Sequence, residues 1–138
     1  MTSLFVDTSG WASVFIPTET HHAQATAYIH SAQKSRQILI TTNYIISELV
    51  ALLGSRYRVP RTKIFQYIDG IKNTPLTQVA HIATETDSEA WKLCKSRPDK
   101  AWSLVDSSSF IVMNRLSISA ALTTDKHFEQ AGFVRLLK

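Results

Sequence analysis

The chain has 138 residues, of which 44% are hydrophobic, and it carries a net charge of +4 at pH 7. This length and apolar content predict a single folded domain over residues 1–138 and exclude a disordered chain. Cys94 is the only cysteine, which excludes an internal disulfide, and no apolar run is long enough to cross a membrane. We therefore expect a cytoplasmic protein without a membrane partner. Its mildly basic charge is compatible with a polyanionic partner.

The chain opens with a strand and a turn. Leu4–Val6 is a short apolar run typical of a buried strand, and Asp7 follows directly. Thr8 or Ser9 is expected to cap the next helix. An Asp at the carboxyl end of a parallel strand lies where open α/β sheets form their sites. An ordinary turn carboxylate is the alternative for Asp7.

Two helices are expected before the second strand. The first begins at Trp11 and stops near Pro17, and the second, with Thr20 as a possible cap, contains the adjacent His21 and His22. Adjacent residues on a helix point about 100° apart, so these two histidines do not share a metal easily. We expect both of them on the surface.

The next strand and helix introduce a second carboxylate. Gln37–Thr41 is rich in β-branched residues and predicts a strand, after which Thr41 or Thr42 caps a helix over 43–53. Glu48 is the only charged residue in that helix, and its helical neighbours are apolar. Because no lysine or arginine stands one turn away, Glu48 is predicted to have a ligand rather than an ion-pair partner.

The middle of the chain carries most of the positive charge. One basic cluster comprises Arg56, Arg58, Arg61 and Lys63, and a second comprises Lys92, Lys95, Arg97 and Lys100. A solvated charged face is the default interpretation of the first cluster, and contact with an RNA backbone is the alternative.

Helix, strand and helix are predicted across this region. The first helix starts at Pro60 and buries a stripe that includes Phe65, and a strand follows over 76–79. The second helix, capped by Thr86 or Asp87, is then expected to run as far as the break at Pro98.

A capping box marks the start of the next helix. Ser103 and Asp106 stand in S-x-x-D spacing before the apolar run 110–113, so Ser103 is the expected N-cap and Asp106 the N3 residue. The free N–H groups at a helix start favour a carboxylate there, which is the structural interpretation of Asp106. The distribution of the other carboxylates favours a functional one.

The last segment supplies a further strand-end carboxylate. Residues 119–123 predict a strand, and Thr124 and Asp125 stand at its carboxyl end. A short helix closed by Gly132 and an edge strand over 134–137 complete the chain. The alternation of strands and helices predicts a three-layer α/β/α fold around a mostly parallel sheet of about four or five strands.

Four carboxylates are predicted to meet at one edge of this sheet. Asp7 and Asp125 end strands there, while Glu48 and Asp106 lie near the starts of helices. Two such charges about 4 Å apart repel by roughly 4 kcal/mol at an effective dielectric constant near 20, so protonation or a cation must relieve the repulsion. With no cysteine and no well-placed histidine, this oxygen-only set predicts Mg²⁺, or Mn²⁺ as its substitute.

Roles can be assigned within this predicted site. Asp7, Asp106 and Asp125 are the expected metal ligands, and Glu48 either orients the attacking water or binds a metal. Hydroxyl and amide side chains on the same elements are expected to fix the carboxylates or hold metal-bound water, with helix capping as their alternative role. They are Thr8, Ser9, Asn43, Ser103 and Thr124.

The chain resembles the PIN domains, and among them the toxin nucleases of VapC type. The matching stretches are Val6–Ser9, Ser47–Glu48, Trp102–Asp106 and Leu122–Phe128 running into Gly132. The resemblance implies a doubly wound α/β fold and Mg²⁺-dependent cleavage of RNA. It also implies pairing with a small antitoxin protein and frequent homodimers.

Two alternatives remain beside a metal-dependent ribonuclease. A PIN-like module with weak or absent catalysis would use the basic clusters to bind RNA or a protein. A phosphohydrolase of the haloacid dehalogenase type also begins with a strand and an Asp, but it needs a second Asp where this chain has Ser9. For a homodimer, Trp11 and Phe15 are candidate surface residues.

Overall fold

The computed structural model describes residues 2–138, which form seven helices and five strands in three α/β/α layers. The elements in chain order are β1 (Ser3–Val6), α1 (Thr8–Phe15), α2 (His22–Lys34), β2 (Ile38–Thr42), α3 (Asn43–Ser55), α4 (Arg61–Asn73), β3 (Thr77–Ala80), α5 (Thr84–Ser96), α6 (Leu104–Arg115), β4 (Ala120–Leu122), α7 (His127–Gln130) and β5 (Val134–Arg135). The predicted fold class is confirmed.

All neighbouring strands of the sheet run parallel, in the order β3-β2-β1-β4-β5. The chain moves from β1 outward to β2 and β3, and then returns to add β4 and β5 on the other side of β1. The crevice at the carboxyl ends of β1 and β4 is therefore the topological switch point, where open α/β sheets bind their ligands. β5 forms the predicted edge strand.

A group of aromatic side chains fixes the elements that surround this crevice. The rings of Phe110 and Phe128 meet edge to face with centroids 5.0 Å apart, and Phe128 also contacts Phe5 of β1 at 6.3 Å. Trp102 packs edge to face on Phe110 at 5.1 Å. Because Phe5, Phe110 and Phe128 are almost fully buried, they hold α6 and α7 rigidly beside β1.

Close packing brings α1 onto the end of β4. A Cβ atom on Gly10 would lie 2.1 Å from the carbonyl oxygen of Leu122, which leaves room only for glycine. This contact sets Asp7, at the start of α1, directly beside the residues that follow β4.

Several predicted helix caps are wrong. Thr8 and Ser9 do not cap α1, which begins at Thr8, and Thr20 does not cap α2, whose N-cap is His21. α5 begins earlier than predicted, with Ala83 rather than Thr86 or Asp87 as its N-cap. Thr86 and Asp87 instead bond Arg115 and Tyr44 on neighbouring helices.

The caps of α3 and α6 are confirmed. The hydroxyl oxygen of Thr42 accepts a hydrogen bond from the backbone N–H of Ile45, and Ser103 and Asp106 form the predicted capping box.

Two predictions about apolar side chains are also wrong. Phe65 is 49% exposed because it points away from the buried stripe of α4, with the guanidinium of Arg61 lying 5.0 Å from its ring centroid. Trp11, considered for a dimer surface, is only 5% exposed and donates a hydrogen bond to Thr41. None of the helices built by residues 2–138 has the length and apolar character needed to cross a bilayer.

Candidate metal centre

A cavity of about 650 Å³ opens at the carboxyl ends of β1 and β4. All four predicted carboxylates line it: Asp7, Glu48, Asp106 and Asp125. Their convergence follows from the topology, since two of them end adjacent parallel strands and the other two lie on helices that pass the same edge. The cavity also contains four of the five predicted hydroxyl and amide residues.

Asp7 is the most buried of the acidic groups, with 5% of its surface exposed. Burial raises the pKa of its carboxyl group to about 7, and the nearby charges of Asp106 and Glu48 contribute to the rise. Hydrogen bonds from the Thr123 hydroxyl and the backbone of Thr8 oppose it. Without a cation, the raised pKa favours the protonated form of Asp7 far more than in an exposed aspartate.

A hydroxyl network holds the Asp7 carboxylate in place. Thr123 Oγ1 donates to Asp7 Oδ2 at 2.9 Å and also accepts from the backbone N–H of Asp125 at 3.0 Å. Ser9 Oγ lies 3.4 Å from the same Oδ2 and accepts from the backbone N–H of Thr124 at 2.9 Å. The ends of β1 and β4 are thus tied together through side chains around one carboxylate.

Thr123 was not among the predicted site residues, whereas its neighbour Thr124 was. The Thr124 side chain lines the cavity, but the fully buried Thr123 makes the direct bond to Asp7. The sequence does show two threonines, Thr123 and Thr124, directly after β4. Which of these two side chains faces Asp7 depends on the backbone direction at the end of the strand, which the sequence pattern does not give.

Asp106 forms the predicted capping box and also lines the cavity. Its Oδ2 accepts from the backbone N–H of Ser103 at 3.0 Å, and its own N–H donates to Ser103 Oγ at 2.9 Å. Burial raises the pKa of Asp106, Asp125 raises it further, and the Ser103 N–H and His127 oppose the rise. The capping box therefore orients a carboxylate whose other contacts are in the cavity.

His127 contradicts the expectation that no histidine is well placed. Its Nδ1 lies 3.2 Å from Asp106 Oδ2 and 3.1 Å from Asp125 Oδ1, between the two carboxylates. The backbone N–H of His127 also donates to Asp125 Oδ1 at 2.9 Å. The sequence did place His127 in the stretch that resembles the PIN domains, but nothing in its spacing indicated that the ring turns back toward Asp106.

Glu48 lines the cavity, but its side chain is more exposed than the sequence predicted. The side chain is exposed rather than packed among apolar neighbours, and its Oε1 accepts a hydrogen bond from Thr8 Oγ1 at 2.5 Å. Thr8 therefore bonds Glu48 directly, and the exposure of Glu48 differs from the expected position on an apolar face.

Asn43 lies outside this cavity. Its Oδ1 accepts from the backbone N–H of Ile82 at 2.6 Å, so the side chain ties α3 to the segment after β3. Arg56 and Tyr57, from the end of α3, line the cavity instead, as do residues of the segment before α2, including His21.

The side chains present fit a divalent cation. One ligating atom each from Asp106, Asp125 and His127 lie within 4.8 Å of one another, and Asp7 faces the same space. Over residues 2–138, no lysine or arginine forms an ion pair with Asp7, Glu48, Asp106 or Asp125. Carboxylate oxygens without a neutralising partner are the donors that Mg²⁺ and Mn²⁺ prefer, and a single imidazole is compatible with Mn²⁺.

Comparison with known proteins gives relatives along the whole chain. No protein-family model matches it. The 23S rRNA-specific endonuclease VapC20 of Mycobacterium tuberculosis is 27% identical over 135 residues, which cover 96% of this chain and 97% of that protein.

Solved structures agree with the sequence relatives. The crystal structure of Mycobacterium tuberculosis VapC20, a sarcin-ricin loop cleaving toxin, superposes with a TM-score of 0.83 at 26% identity, covering 99% of this chain and 100% of that one. PAE2754 from Pyrobaculum aerophilum shares the fold with a TM-score of 0.66 at 16% identity, covering 98% of this chain and 90% of that one. FitAcB from Neisseria gonorrhoeae shares it with a TM-score of 0.64 at 12% identity, covering 98% of this chain and 96% of that one. The five-stranded parallel sheet, the acidic cavity at its switch point and these relatives make the chain similar over its whole length to VapC20, and they support its resemblance to the PIN-domain toxins of VapC type.

Proposed function

We propose that this protein is a Mg²⁺-dependent endoribonuclease and the toxin component of a type II, VapBC-like toxin–antitoxin pair. The observation that carries the proposal is the convergence of Asp7, Glu48, Asp106 and Asp125 on one cavity. Within residues 2–138 no lysine or arginine pairs with them, and His127 is the one basic side chain in contact with two of them. In a protein that only binds RNA, four carboxylates facing the phosphates would weaken binding by charge repulsion. In a metal-dependent nuclease, the same carboxylates are needed to hold the ion.

In the proposed hydrolysis, three aspartates bind the metal ion and Glu48 acts on the attacking water. Asp7, Asp106 and Asp125 would hold the ion, which would neutralise charge on the phosphodiester and lower the pKa of the attacking water so that it loses its proton more easily. Asp7 must release its proton when the ion binds, because its raised pKa leaves it partly protonated. Glu48, oriented by Thr8, would direct the attacking water and take its proton.

The substrate and partners follow by analogy with the relatives. VapC20 is named for its action on 23S rRNA and its sarcin-ricin loop, so that loop is the first substrate to test for this chain. We propose that a small antitoxin protein covers the acidic cavity and thereby blocks cleavage, and that the protein forms a homodimer. The cell compartment proposed is the cytoplasm, where ribosomal RNA lies.

The test is cleavage of labelled ribosomal RNA fragments by purified protein. Cleavage should require Mg²⁺ or Mn²⁺, stop in excess EDTA, and fall at least about 100-fold in Asp7→Asn and Asp106→Asn. Asp99→Asn is the matched control, since Asp99 is exposed and paired with Arg97 outside the cavity. Full cleavage in EDTA would refute the proposal, and tight metal-free RNA binding without turnover would favour the binding module.

A further inference from the structure

The wall of the acidic cavity continues into a basic surface at the end of α3. Glu48, Leu52 and Arg56 follow one another at helical spacing, and all three line the cavity together with Tyr57. Arg56 lies eight residues after Glu48, about 12 Å along the helix axis. The cavity thus has an anionic floor and, two turns farther along α3, a cationic and aromatic edge.

Arg56 begins a run of cations that have no carboxylate partner. The run consists of Arg56, Arg58, Arg61 and Lys63, and over residues 2–138 none of the four forms an ion pair. Arg97, Arg115 and Arg135 are by contrast all paired with acidic side chains. Other exposed cations, Lys34 and Arg36 among them, are also unpaired, so position distinguishes this run: it lies beside the acidic cavity, where unpaired cations can bind a polyanion.

Aromatic rings accompany these cations. The guanidinium of Arg56 lies 5.3 Å from the ring centroid of Tyr57, and that of Arg61 lies 5.0 Å from the centroid of Phe65. Phe65 is 49% exposed and therefore contributes little to the core. Phe65 offers an exposed ring and Tyr57 a half-buried one beside unpaired arginines. Aromatic rings and arginines together bind single-stranded nucleic acid through base stacking and phosphate contacts.

The direction of α4 places Arg61 at the same end of the molecule. Pro60 is the N-cap of α4, and this helix ends at Asn73, close to the start of β3 at the opposite edge of the sheet. The first turn of α4 therefore lies at the end where the cavity opens, and Phe65 stands one turn behind Arg61.

We propose that Arg56, Tyr57, Arg61 and Phe65 form a docking surface for the unpaired RNA strand that enters the cavity. The two arginines bind phosphates beside the one that is cleaved, and the two rings stack bases. The proposal rests on the proposed function, in that it names where the RNA of that reaction is held. It also explains how a polyanion approaches four carboxylates, because the flanking cations offset the repulsion.

Metal-free binding tests the cationic part of this surface. A short fluorescein-labelled single-stranded RNA is titrated in EDTA at several salt concentrations, and its anisotropy is measured. The Arg56→Gln/Arg61→Gln variant should bind at least about tenfold more weakly at low salt, with a salt slope smaller by about 0.7 for each phosphate that the variant no longer neutralises. Lys34→Gln/Arg36→Gln is the matched control, because these two exposed cations stand before β2 at the opposite edge and should leave affinity and slope unchanged.

Substitution of the rings tests the aromatic part. Tyr57→Leu and Phe65→Leu should weaken RNA binding severalfold without changing the salt slope, and Tyr57→Phe should restore wild-type affinity, with thermal melting to verify folding. Poly-glutamate of similar charge should compete poorly with the RNA. The proposal is overturned if the arginine variant binds RNA like the wild type, or if poly-glutamate binds as tightly as RNA, which would indicate an acidic protein segment as the occupant.

These results are separable from the proposed nuclease activity. Because binding is measured in EDTA, the docking surface is assessed whether or not the protein cleaves RNA. If the nuclease proposal is wrong, the protein will instead fail to cleave RNA in the presence of Mg²⁺. An arginine variant that retains wild-type kcat/KM on RNA would overturn the docking surface alone.

Discussion

At the scale of single residues, Asp7 shows how burial prepares a carboxylate for a cation. The hydroxyl of Thr123 and the backbone of Thr8 stabilise its ionised form, but loss of water outweighs both and raises its pKa to about 7. An ionised Asp7 is therefore costly in the metal-free protein and becomes favourable when a cation is present.

This balance predicts how stability depends on pH. The folded pKa of Asp7, about 7, lies above the ordinary value of 3.8, so the stabilising effect of its protonated form is complete below about pH 4 and is lost as the pH rises through 7. In EDTA, the free energy of unfolding should fall by a few kcal/mol from pH 4 to pH 8, and Asp7→Asn should reduce this fall. Urea denaturation across this pH range measures it.

Controls separate this effect from general charge effects. Asp99→Asn should leave the pH dependence above pH 5 unchanged, because its partner Arg97 lowers the pKa of Asp99 below the ordinary value. Added Mg²⁺ should stabilise the wild type more at pH 8 than at pH 5. A wild-type profile that is flat in EDTA would refute the proposed state of Asp7.

At the scale of elements, the capping box of helix α6 both starts the helix and orients a carboxylate that lines the cavity. The Ser103 hydroxyl caps the helix, while the Ser103 N–H holds one oxygen of Asp106. The capping box thereby fixes the rotamer of a carboxylate whose pKa is raised by burial. If Asp106 binds a metal as proposed, the same cap would also support that ligand.

Replacing the cap should therefore have two measurable effects. Ser103→Ala should destabilise the protein by about 1 kcal/mol, because the Asp106 N–H loses its cap. It should also weaken Mn²⁺ binding by about tenfold, because the first turn that keeps the Ser103 N–H on the Asp106 carboxylate is loosened. Thr42→Ala removes the corresponding cap of α3, whose hydroxyl bonds only the helix N–H, and should cost similar stability with unchanged Mn²⁺ affinity. Denaturation and calorimetric titration measure the two quantities. Equal Mn²⁺ affinities in both variants would contradict the dual role of Ser103.

At the scale of the whole molecule, the fold was largely predictable from periodicity and alternation. The meeting of the carboxylates from strand ends and helix starts was also predictable, because parallel strands all end at the same edge of the sheet. Features that depend on the direction of individual side chains could not be predicted from the sequence. The turn of the His127 ring toward Asp106 and the choice of Thr123 over Thr124 depend on tertiary contacts that no sequence spacing encodes.

The wrong caps have a related physical cause. Threonine and aspartate favour helix starts, but the same side chains also satisfy partners on neighbouring elements when these approach. Thr8 bonds Glu48 and Asp87 bonds Tyr44, so local preference yielded to tertiary contacts in both cases. The exposed ring of Phe65 has a simpler cause, because its position on α4 faces away from the stripe formed by Ile64, Ile68 and Ile71.

Anomalous diffraction from crystals soaked in Mn²⁺ tests the central claim most directly. The account predicts one or two Mn²⁺ peaks inside the cavity, with carboxylate oxygens of Asp7 and of Asp106 or Asp125 at about 2.0–2.6 Å. The peaks should vanish in crystals of Asp7→Asn. Mn²⁺ bound only at surface carboxylates away from this cavity, or a cavity that stays empty at saturating Mn²⁺, would contradict it.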